Sequence, residues 1–142
     1  MRLVAAVVLG LTIYPPDPVT VIVGATLVDG GGRAPVADSV VVVRGAVIAA
    51  VGDRVHTPIP KGATLVDGRS AWIAPAPGAE APVGTLATAI AALLRGPVAR
   101  VQVGQPAHLA LLDADPRRGA VPPRVRRLWI AGKGRSMLGA SR

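Results

Sequence analysis

Histidines and carboxylates are the residues of this chain that could support the widest range of chemistry. The 142-residue sequence has two histidines, eight acidic residues and no cysteine, so thiolate chemistry and disulfide bonds are excluded. A hydrolytic zinc ion needs about three protein ligands and an open coordination position. His56 and His108 lie far apart in the sequence and could join Asp53, Asp113 or Asp115 only through the fold. We therefore predict no metal site and no metal cofactor.

The sequence also has no clear motif for a catalytic nucleophile or for an acid–base pair of carboxylates. None of the serines Ser39, Ser70, Ser136 and Ser141 lies in a G-x-S-x-G sequence. Glu80 is the sole glutamate, and a carboxylate pair for acid–base catalysis would need an aspartate from across a turn. We therefore assign no catalytic and no cofactor-binding residues.

Structural roles account for these polar residues more simply. Aspartate at the end of a strand accepts hydrogen bonds from turn N–H groups, and four aspartates have this setting: Asp29, Asp67, Asp113 and Asp115. His108 begins an apolar run and is predicted to be a strand-edge residue hydrogen-bonded to a loop. His56 lies in a proline-rich loop and is predicted to be exposed.

The elements that carry these residues are mostly short strands. Runs of β-branched residues cut by Gly, Asp and Pro favour strands and turns. The predicted strands are Val19–Val28 with a bend at Gly24, Ser39–Arg44, Ala46–Val51, Ala63–Val66, Trp72–Ile73, Val98–Val103, His108–Leu112, Val125–Ala131 and Met137–Leu138. Gly84–Leu94 is the one predicted helix, with Thr85 as its cap. The predicted fold is mainly β: a small composite β-sandwich with one short α-helix.

The first 18 residues form an apolar segment and a proline-rich linker. Residues 3–13 are too short to span a bilayer as a helix, which takes about 20 residues. One positive charge before an apolar block is typical of a secretory signal, and a first β-strand is the competing interpretation. If residues 1–14 act as a signal, the protein is exported or membrane-associated; otherwise it is cytoplasmic. Membrane contact is expected only through residues 3–13.

The chain is strongly basic, with a formal net charge of +8. Its last 26 residues hold eight basic residues and no acid, and residues 136–142 are predicted to be a basic tail. Such a charge can attract phosphate or an acidic surface. The simpler interpretation is an arginine-rich solvated surface. We do not expect a nucleic-acid partner, because neither a stacking platform nor a binding motif accompanies the charge.

Five motifs in a fixed order resemble the amidohydrolase superfamily, in particular its imidazolonepropionase-like and dihydroorotase-like members. The N-terminal motifs are Val21–Asp29, Val40–Gly52 and Ala63–Pro77. The C-terminal motifs are Val103–Pro116 and Val125–Lys133. The resemblance implies that the two groups of motifs, within residues 19–78 and 98–135, join into one β-sandwich, with residues 79–97 as linker and helix.

The same resemblance implies a metal-dependent (β/α)8 barrel between the two pieces, and this chain has no room for one. A barrel takes roughly 200 residues or more, whereas residues 79–97 hold only the linker and the helix. The helix resembles the family's last barrel helix at Thr88 and Ala91. In the family, an H-x-H metal-binding pair follows the Pro-Gly, but here Ala79-Glu80-Ala81 follows Pro77-Gly78. The sequence therefore predicts the sandwich without its barrel.

Three functions are compatible with these observations. The first is an amidohydrolase-like protein without catalysis of its own, acting as a scaffold or interaction module. The second is one component of a metal-dependent hydrolase acting on non-peptide carbon–nitrogen bonds, with the barrel supplied by another chain. The third is a basic protein that binds nucleic acid or an anionic membrane surface. For the first two, we expect a second copy or a barrel-bearing chain to bind the sandwich face that a barrel would cover.

Overall fold

The computed structural model describes residues 17–78, 83–96, 98, 100–118 and 122–137, with the backbone alone at 83 and 84. The predictions made for residues 1–14, for Glu80 and for residues 138–142 lie outside this range. Among the described residues, no helix has the length and apolar character needed to cross a bilayer.

Nine strands and a single short helix make up the described part of the chain. The strands are β1 (Val19–Val23), β2 (Thr26–Leu27), β3 (Ser39–Arg44), β4 (Val47–Asp53), β5 (Thr64–Asp67), β6 (Trp72–Pro75), β7 (Leu109–Leu112), β8 (Val125–Ile130) and β9 (Lys133–Ser136). The helix α1 (Val83–Leu94) lies between β6 and β7. The mainly β fold class is confirmed.

The strands form two mixed sheets. The first sheet has the order β4-β3-β1-β5, and the second has the order β2-β6-β7-β8-β9. The chain passes from the first sheet to the second between β1 and β2, at the bend predicted for Gly24. Gly24 has a φ of +90°, a backbone conformation that L side chains rarely adopt. One apolar run thus contributes a strand to each sheet.

Apolar side chains from both sheets pack against each other in the central core. The first sheet contributes Ile22, Val41, Val43 and Ile48, and the second contributes Ile73, Leu109, Leu111 and Trp129. Trp129 is 2% exposed and is the largest side chain in this core. The N-terminal and C-terminal pieces meet inside the second sheet, where β6 pairs antiparallel with β7.

The helix α1 covers the outer face of the second sheet. Leu86 and Ile90 are buried there against Ala110, Leu112 and Leu128. The two residues are four apart and therefore share one helix face. Because α1 begins at Val83, Thr85 lies within its first turn and not at the predicted cap position.

One strand prediction near the C-terminus was wrong. Residues 100–105 form bends and turns instead of the strand predicted over Val98–Val103, and Val98 and Val103 are about 60% exposed. The last described strand is Lys133–Ser136; of the strand predicted over Met137–Leu138, Met137 lies outside any strand and Leu138 lies outside the described residues. Lys133 and Gly134 pair with Ile130 and Trp129, so backbone pairing forms β9 although its side chains are exposed.

Backbone hydrogen bonds join the β3–β4 hairpin to the C-terminal piece. The N–H of Ala107 donates to the carbonyl of Ala46 at 2.8 Å, and the N–H of Ile48 donates to the carbonyl of Gln105 at 2.9 Å. The N–H of Gly132 donates to the carbonyl of Ala107 at 3.0 Å. The loop before β7 is thereby held between the hairpin and the β8–β9 turn.

Candidate functional site

His56 and Asp53 form a contact on the exposed loop after β4. The His56 Nδ1 lies 2.8 Å from Asp53 Oδ1, and the His56 backbone N–H donates to the same oxygen at 2.8 Å. These hydrogen bonds, the backbone one foremost, lower the pKa of the Asp53 carboxyl. The His56 side chain is 79% exposed, as predicted. An imidazole oriented by an aspartate is one part of a catalytic triad. The His56 ring is exposed to solvent, however, which indicates that its contact with Asp53 fixes the loop.

Most of the strand-end aspartates have the turn role predicted for them. Asp67 Oδ1 accepts the N–H of Arg69 at 3.0 Å, and Asp115 Oδ1 accepts the N–H of Arg117 at 2.9 Å. The other two strand-end aspartates are also paired. Asp113 Oδ1 accepts the N–H of Arg124 at 2.8 Å, and Asp29 forms an ion pair with Arg33 at 3.6 Å. Burial raises the pKa of the Asp29 carboxyl, and Arg33 opposes this shift.

His108 has the role predicted for it. Its Nδ1 accepts the backbone N–H of Ala131, at the β8–β9 turn, over 3.0 Å. A ring nitrogen that accepts a hydrogen bond carries no proton, so the neutral His108 ring has its proton on Nε2. Ala131 has a φ of +49°, and the histidine bond helps to hold this turn.

Replacing His108 tests this hydrogen bond. We expect His108→Leu to lower the free energy of unfolding by about 0.5–1.5 kcal/mol, because the Ala131 N–H loses its partner. His108→Asn should retain more stability than His108→Leu although it is less apolar, since its Oδ1 occupies the position of Nδ1. Urea denaturation followed by circular dichroism measures both variants. A His108→Leu variant as stable as His108→Asn would contradict the assigned role.

Among the residues that the structure describes, no group of three or more histidines, aspartates or glutamates could hold a metal ion. His56 and His108 lie in separate places, with partners on the loop after β4 and at the β8–β9 turn, respectively. The structure therefore does not bring the two histidines together with Asp53, Asp113 and Asp115 into one site.

The described surface has a groove along β5. β5 forms an edge of the first sheet, where it pairs in parallel with β1. Two hollows of about 290 and 380 Å³ share Leu65, Val66 and Asp67 of this strand as lining residues. We call these two hollows together the β5 groove. The first is completed by Leu111, Arg126, Arg127 and Ser136, and the second by Val23, Arg54, Ile59 and Arg69.

The β5 groove combines an exposed apolar side chain with positive charge. Leu65 is 61% exposed, and the lining residues include four arginines but only one carboxylate, Asp67. Arg69 donates hydrogen bonds to Asp67 from its side chain and its backbone, which lowers the pKa of the Asp67 carboxyl to about 2. On the opposite wall, Arg127 lies over the Trp129 ring, 5.9 Å from its centroid.

Two of the groove arginines, Arg54 and Arg69, and two arginines elsewhere are held in ion pairs with nearby aspartates. Arg54 pairs with Asp38 at 2.8 Å. Arg117 and Arg118 pair with Asp115 at 2.9 and 3.6 Å. The high net charge of the chain is therefore partly balanced locally. In the lining of the β5 groove, Arg126 and Arg127 remain in excess over the carboxylates.

Comparison with known proteins finds only partial likenesses. No protein-family model and no curated protein matches the chain. Among solved structures, molinate hydrolase is 29% identical over 44% of this chain, with a TM-score of 0.38. Phenylurea hydrolase B is 42% identical over 40% of this chain, also with a TM-score of 0.38. A putative prolidase from Bifidobacterium longum is 22% identical over 44% of this chain, with a TM-score of 0.39.

These likenesses involve a small part of much longer proteins. The chain spans 13% of the molinate hydrolase, 12% of the phenylurea hydrolase and 16% of the prolidase. Molinate hydrolase and phenylurea hydrolase B are hydrolases by name, and the TM-scores of all three likenesses are below 0.4. The absence of the barrel stays a prediction from the sequence.

Sequence reasoning missed the β5 groove. The sequence predicted a strand over Ala63–Val66, but it did not show that this strand lies at an edge, beside β1 and opposite Arg126 and Arg127. The available signal was the short segment Thr64–Asp67, in which Leu65 and Val66 lie between a threonine and an aspartate in a strand bounded by turns. An exposed leucine in a short strand is compatible with an edge position, but the neighbouring strand follows only from the fold.

Proposed function

We propose that this chain is a barrel-less relative of the amidohydrolases that acts as an interaction module and not as a catalyst, with the β5 groove as its docking surface. The observation that carries the proposal is an edge strand with an exposed leucine between two hollows. The sequence adds support, because Ala79-Glu80-Ala81 occupies the place of the family's H-x-H pair.

An edge strand offers backbone hydrogen-bonding groups to a second extended chain. Within the described residues, β5 pairs only with β1, so its other side faces the groove. An extended segment that binds there adds one strand to the sheet; its backbone supplies affinity and its alternate side chains supply specificity. Leu65 provides an apolar contact at the middle of the strand.

The charge of the groove selects the class of partner. Arg54 and Arg69 are paired with Asp38 and Asp67, so Arg126 and Arg127 give the groove its excess of positive charge. This charge favours an extended segment of another protein with alternating aliphatic and acidic side chains. A second copy of this chain is disfavoured at this surface, because each copy would bring its own arginines to the contact. We therefore propose an acidic extended segment as the occupant.

A short synthetic peptide of alternating Val and Glu tests the proposal. We expect it to bind the full chain and to shift the amide resonances of residues 64–67 in nuclear magnetic resonance spectra. Binding should weaken as salt is added, because surface charges are screened. The combined change Arg126→Ser with Arg127→Ser should weaken binding by about tenfold. Arg118→Ser is the matched control, since Arg118 pairs with Asp115 outside the groove.

Two further peptides separate strand addition from charge attraction. A Val–Glu peptide with N-methylated backbone nitrogens keeps its charge but cannot complete the sheet, so it should not bind. A Val–Lys peptide should not bind either, because its charge repels the groove arginines. Failure of the Val–Glu peptide to bind, or equal binding of all three peptides, would rule out the proposed docking mode.

The catalytic alternative is tested with the same purified protein. If the chain acts without a barrel as an interaction module, added zinc should produce no hydrolysis of amide, lactone or hydantoin substrates. Zinc-dependent turnover by the purified chain alone would contradict the non-catalytic role. A barrel-bearing chain that co-purifies from the native source would instead support the hydrolase component, with the barrel supplied in trans.

A further inference from the structure

A hollow of about 250 Å³ lies between the end of β6, the last turn of α1 and the loop before β7. We call it the His108 hollow. Its lining consists of residues 75–78, Leu93, Arg100, Gln105, Pro106 and His108. The His108 hollow shares no lining residue with the β5 groove, so it is a separate candidate for ligand binding.

His108 brings a hydrogen-bond donor to this hollow. Its Nδ1 accepts the Ala131 N–H at 3.0 Å, which places the proton of the neutral ring on Nε2. Within the described part of the chain, no residue accepts a hydrogen bond from Nε2. The β8–β9 turn thus fixes the ring and leaves one N–H for a ligand.

Gly78 leaves the space beside this N–H open. A Cβ built on Gly78 would lie 2.8 Å from His108 Nε2 and 3.0 Å from His108 Cδ2, so a larger residue would occupy the place in front of the donor. Gly78 is not among the described glycines with a positive φ. Its backbone conformation therefore does not require glycine, whereas open space beside Nε2 does.

Arg100 supplies a positive charge to the same hollow. Its backbone N–H donates to the Asp29 carbonyl at 3.1 Å, which anchors the residue. Its side chain forms no ion pair with any carboxylate of the described residues, and no lining residue is acidic. Gln105 adds an amide group. The guanidinium, the imidazole N–H and the amide NH2 are all donors suited to an anionic oxygen.

Apolar side chains form the rest of the lining, namely Pro75, Pro77, Pro106 and Leu93 with the small Ala76. The carbonyl end of a helix repels an anion. Here the Gly96 N–H donates to the Leu93 carbonyl at 3.1 Å, so the last turn of α1 satisfies this oxygen itself. Apolar walls with a few polar groups are typical of a site for a small molecule.

We propose that the His108 hollow binds a small monocarboxylate. The carboxylate oxygens accept hydrogen bonds from His108 Nε2 and from the Arg100 guanidinium, and the apolar body of the acid lies against the prolines. One cation and two neutral donors match a single negative charge, whereas the second charge of a phosphate would lack a partner. The volume of the hollow restricts the ligand to a compact acid.

Benzoate is the probe, and the two histidines of the chain report where it binds. We expect benzoate to shift the His108 ring resonances in nuclear magnetic resonance spectra of the full chain, with a Kd on the order of 1 mM. The exposed His56 ring is the internal reference and should not shift when sodium chloride keeps the ionic strength constant. No shift at His108, or equal shifts of both rings, would overturn the proposal.

Three variants test the groups of the hollow, with circular dichroism as the check on folding. Arg100→Gln should raise the Kd for benzoate about tenfold, because a charge-assisted hydrogen bond is lost. Arg118→Gln removes the same charge outside the hollow and should change the Kd less than about twofold. Gly78→Ala should raise the Kd about tenfold, because its methyl group fills the place beside Nε2. Equal affinities of the two arginine variants, or unimpaired binding by Gly78→Ala, would overturn the proposal.

Related small molecules test the class of ligand. Benzamide keeps the ring but lacks the charge, and acetate keeps the charge but lacks the ring. We expect both to bind at least about tenfold more weakly than benzoate. Inorganic phosphate should also bind more weakly, because the hollow holds one cation. If benzamide, acetate or phosphate binds as tightly as benzoate, the hollow is not a monocarboxylate site.

Discussion

Trp129→Ala will lower the free energy of unfolding by roughly 3–5 kcal/mol, the range typical of a large aromatic side chain removed from a core. Trp129 is 2% exposed and packs with residues of both sheets. Its loss removes apolar burial and leaves a cavity between the sheets, which the surrounding strands can fill only in part. The other side chains of this central core are aliphatic, so none of the described core residues brings another ring to the space.

Trp72→Ala is the matched control for this prediction. Trp72 is only half-buried and packs at the edge of the cluster beneath α1, so the same substitution should cost distinctly less. Urea denaturation followed by far-ultraviolet circular dichroism measures both variants without relying on tryptophan fluorescence. Equal losses for the two variants would show that Trp129 does not hold the sheets together as the structure indicates.

Gly132→Ala should have the second largest effect, although it adds only a methyl group. Gly132 has a φ of +79°, and a non-glycine residue in this region costs about 1–2 kcal/mol. A Cβ at this position would also collide with the Gly45 carbonyl oxygen of the β3–β4 hairpin. Overpacking of this kind costs about 1–3 kcal/mol more. We expect a total loss of roughly 2–5 kcal/mol in the free energy of unfolding.

Gly62→Ala separates the two contributions. Gly62 has a similar φ of +78°, but nothing lies within 4 Å of the added Cβ. This variant should therefore show the backbone cost alone. If Gly62→Ala and Gly132→Ala lose the same stability in the same denaturation experiment, close contact between the hairpin and the β8–β9 turn is not what constrains Gly132.

The strands with long apolar runs could be predicted from the sequence, because their side chains favour buried strands. The run Val40–Val43 is buried on both faces of the first sheet, and such a strand reads as continuous valine. The bend at Gly24 was also readable from the sequence. The sequence did not show that the chain changes sheet at this bend, because the strands that pair with β1 and β2 lie far along the chain.

The errors arose where composition and pairing disagree. Val98 and Val103 are β-branched but exposed, and their loop instead forms hydrogen bonds to other backbone segments. For example, the Arg100 N–H donates to the Asp29 carbonyl at 3.1 Å. In β9, the residues Lys133–Ser136 have no apolar pattern, and their strand exists because β8 offers an unpaired edge. Local propensity cannot show either of these tertiary effects.

The polar residues also include some whose roles could be predicted from the sequence and some whose roles could not. The roles of His108, Asp67 and Asp115 were predictable because each depends on a local turn or on one nearby loop. The β5 groove was not predictable, because it needs β5 beside β1 and Arg127 on the opposite sheet. Its charge follows from a juxtaposition that only the assembled sandwich creates.

The strand order of the second sheet has a consequence for synthesis on the ribosome. Strands β2 and β6 leave the ribosome early, whereas β7, β8 and β9 come from the last part of the chain. Until these arrive, the Ile73 side of β6 has neither its antiparallel partner β7 nor Trp129 to pack against. Pairings between distant parts of a chain form slowly, and unpaired strand edges promote aggregation. The nascent chain therefore has to remain incompletely folded until its C-terminal strands emerge, and this is the stage at which we expect it to depend most on chaperones.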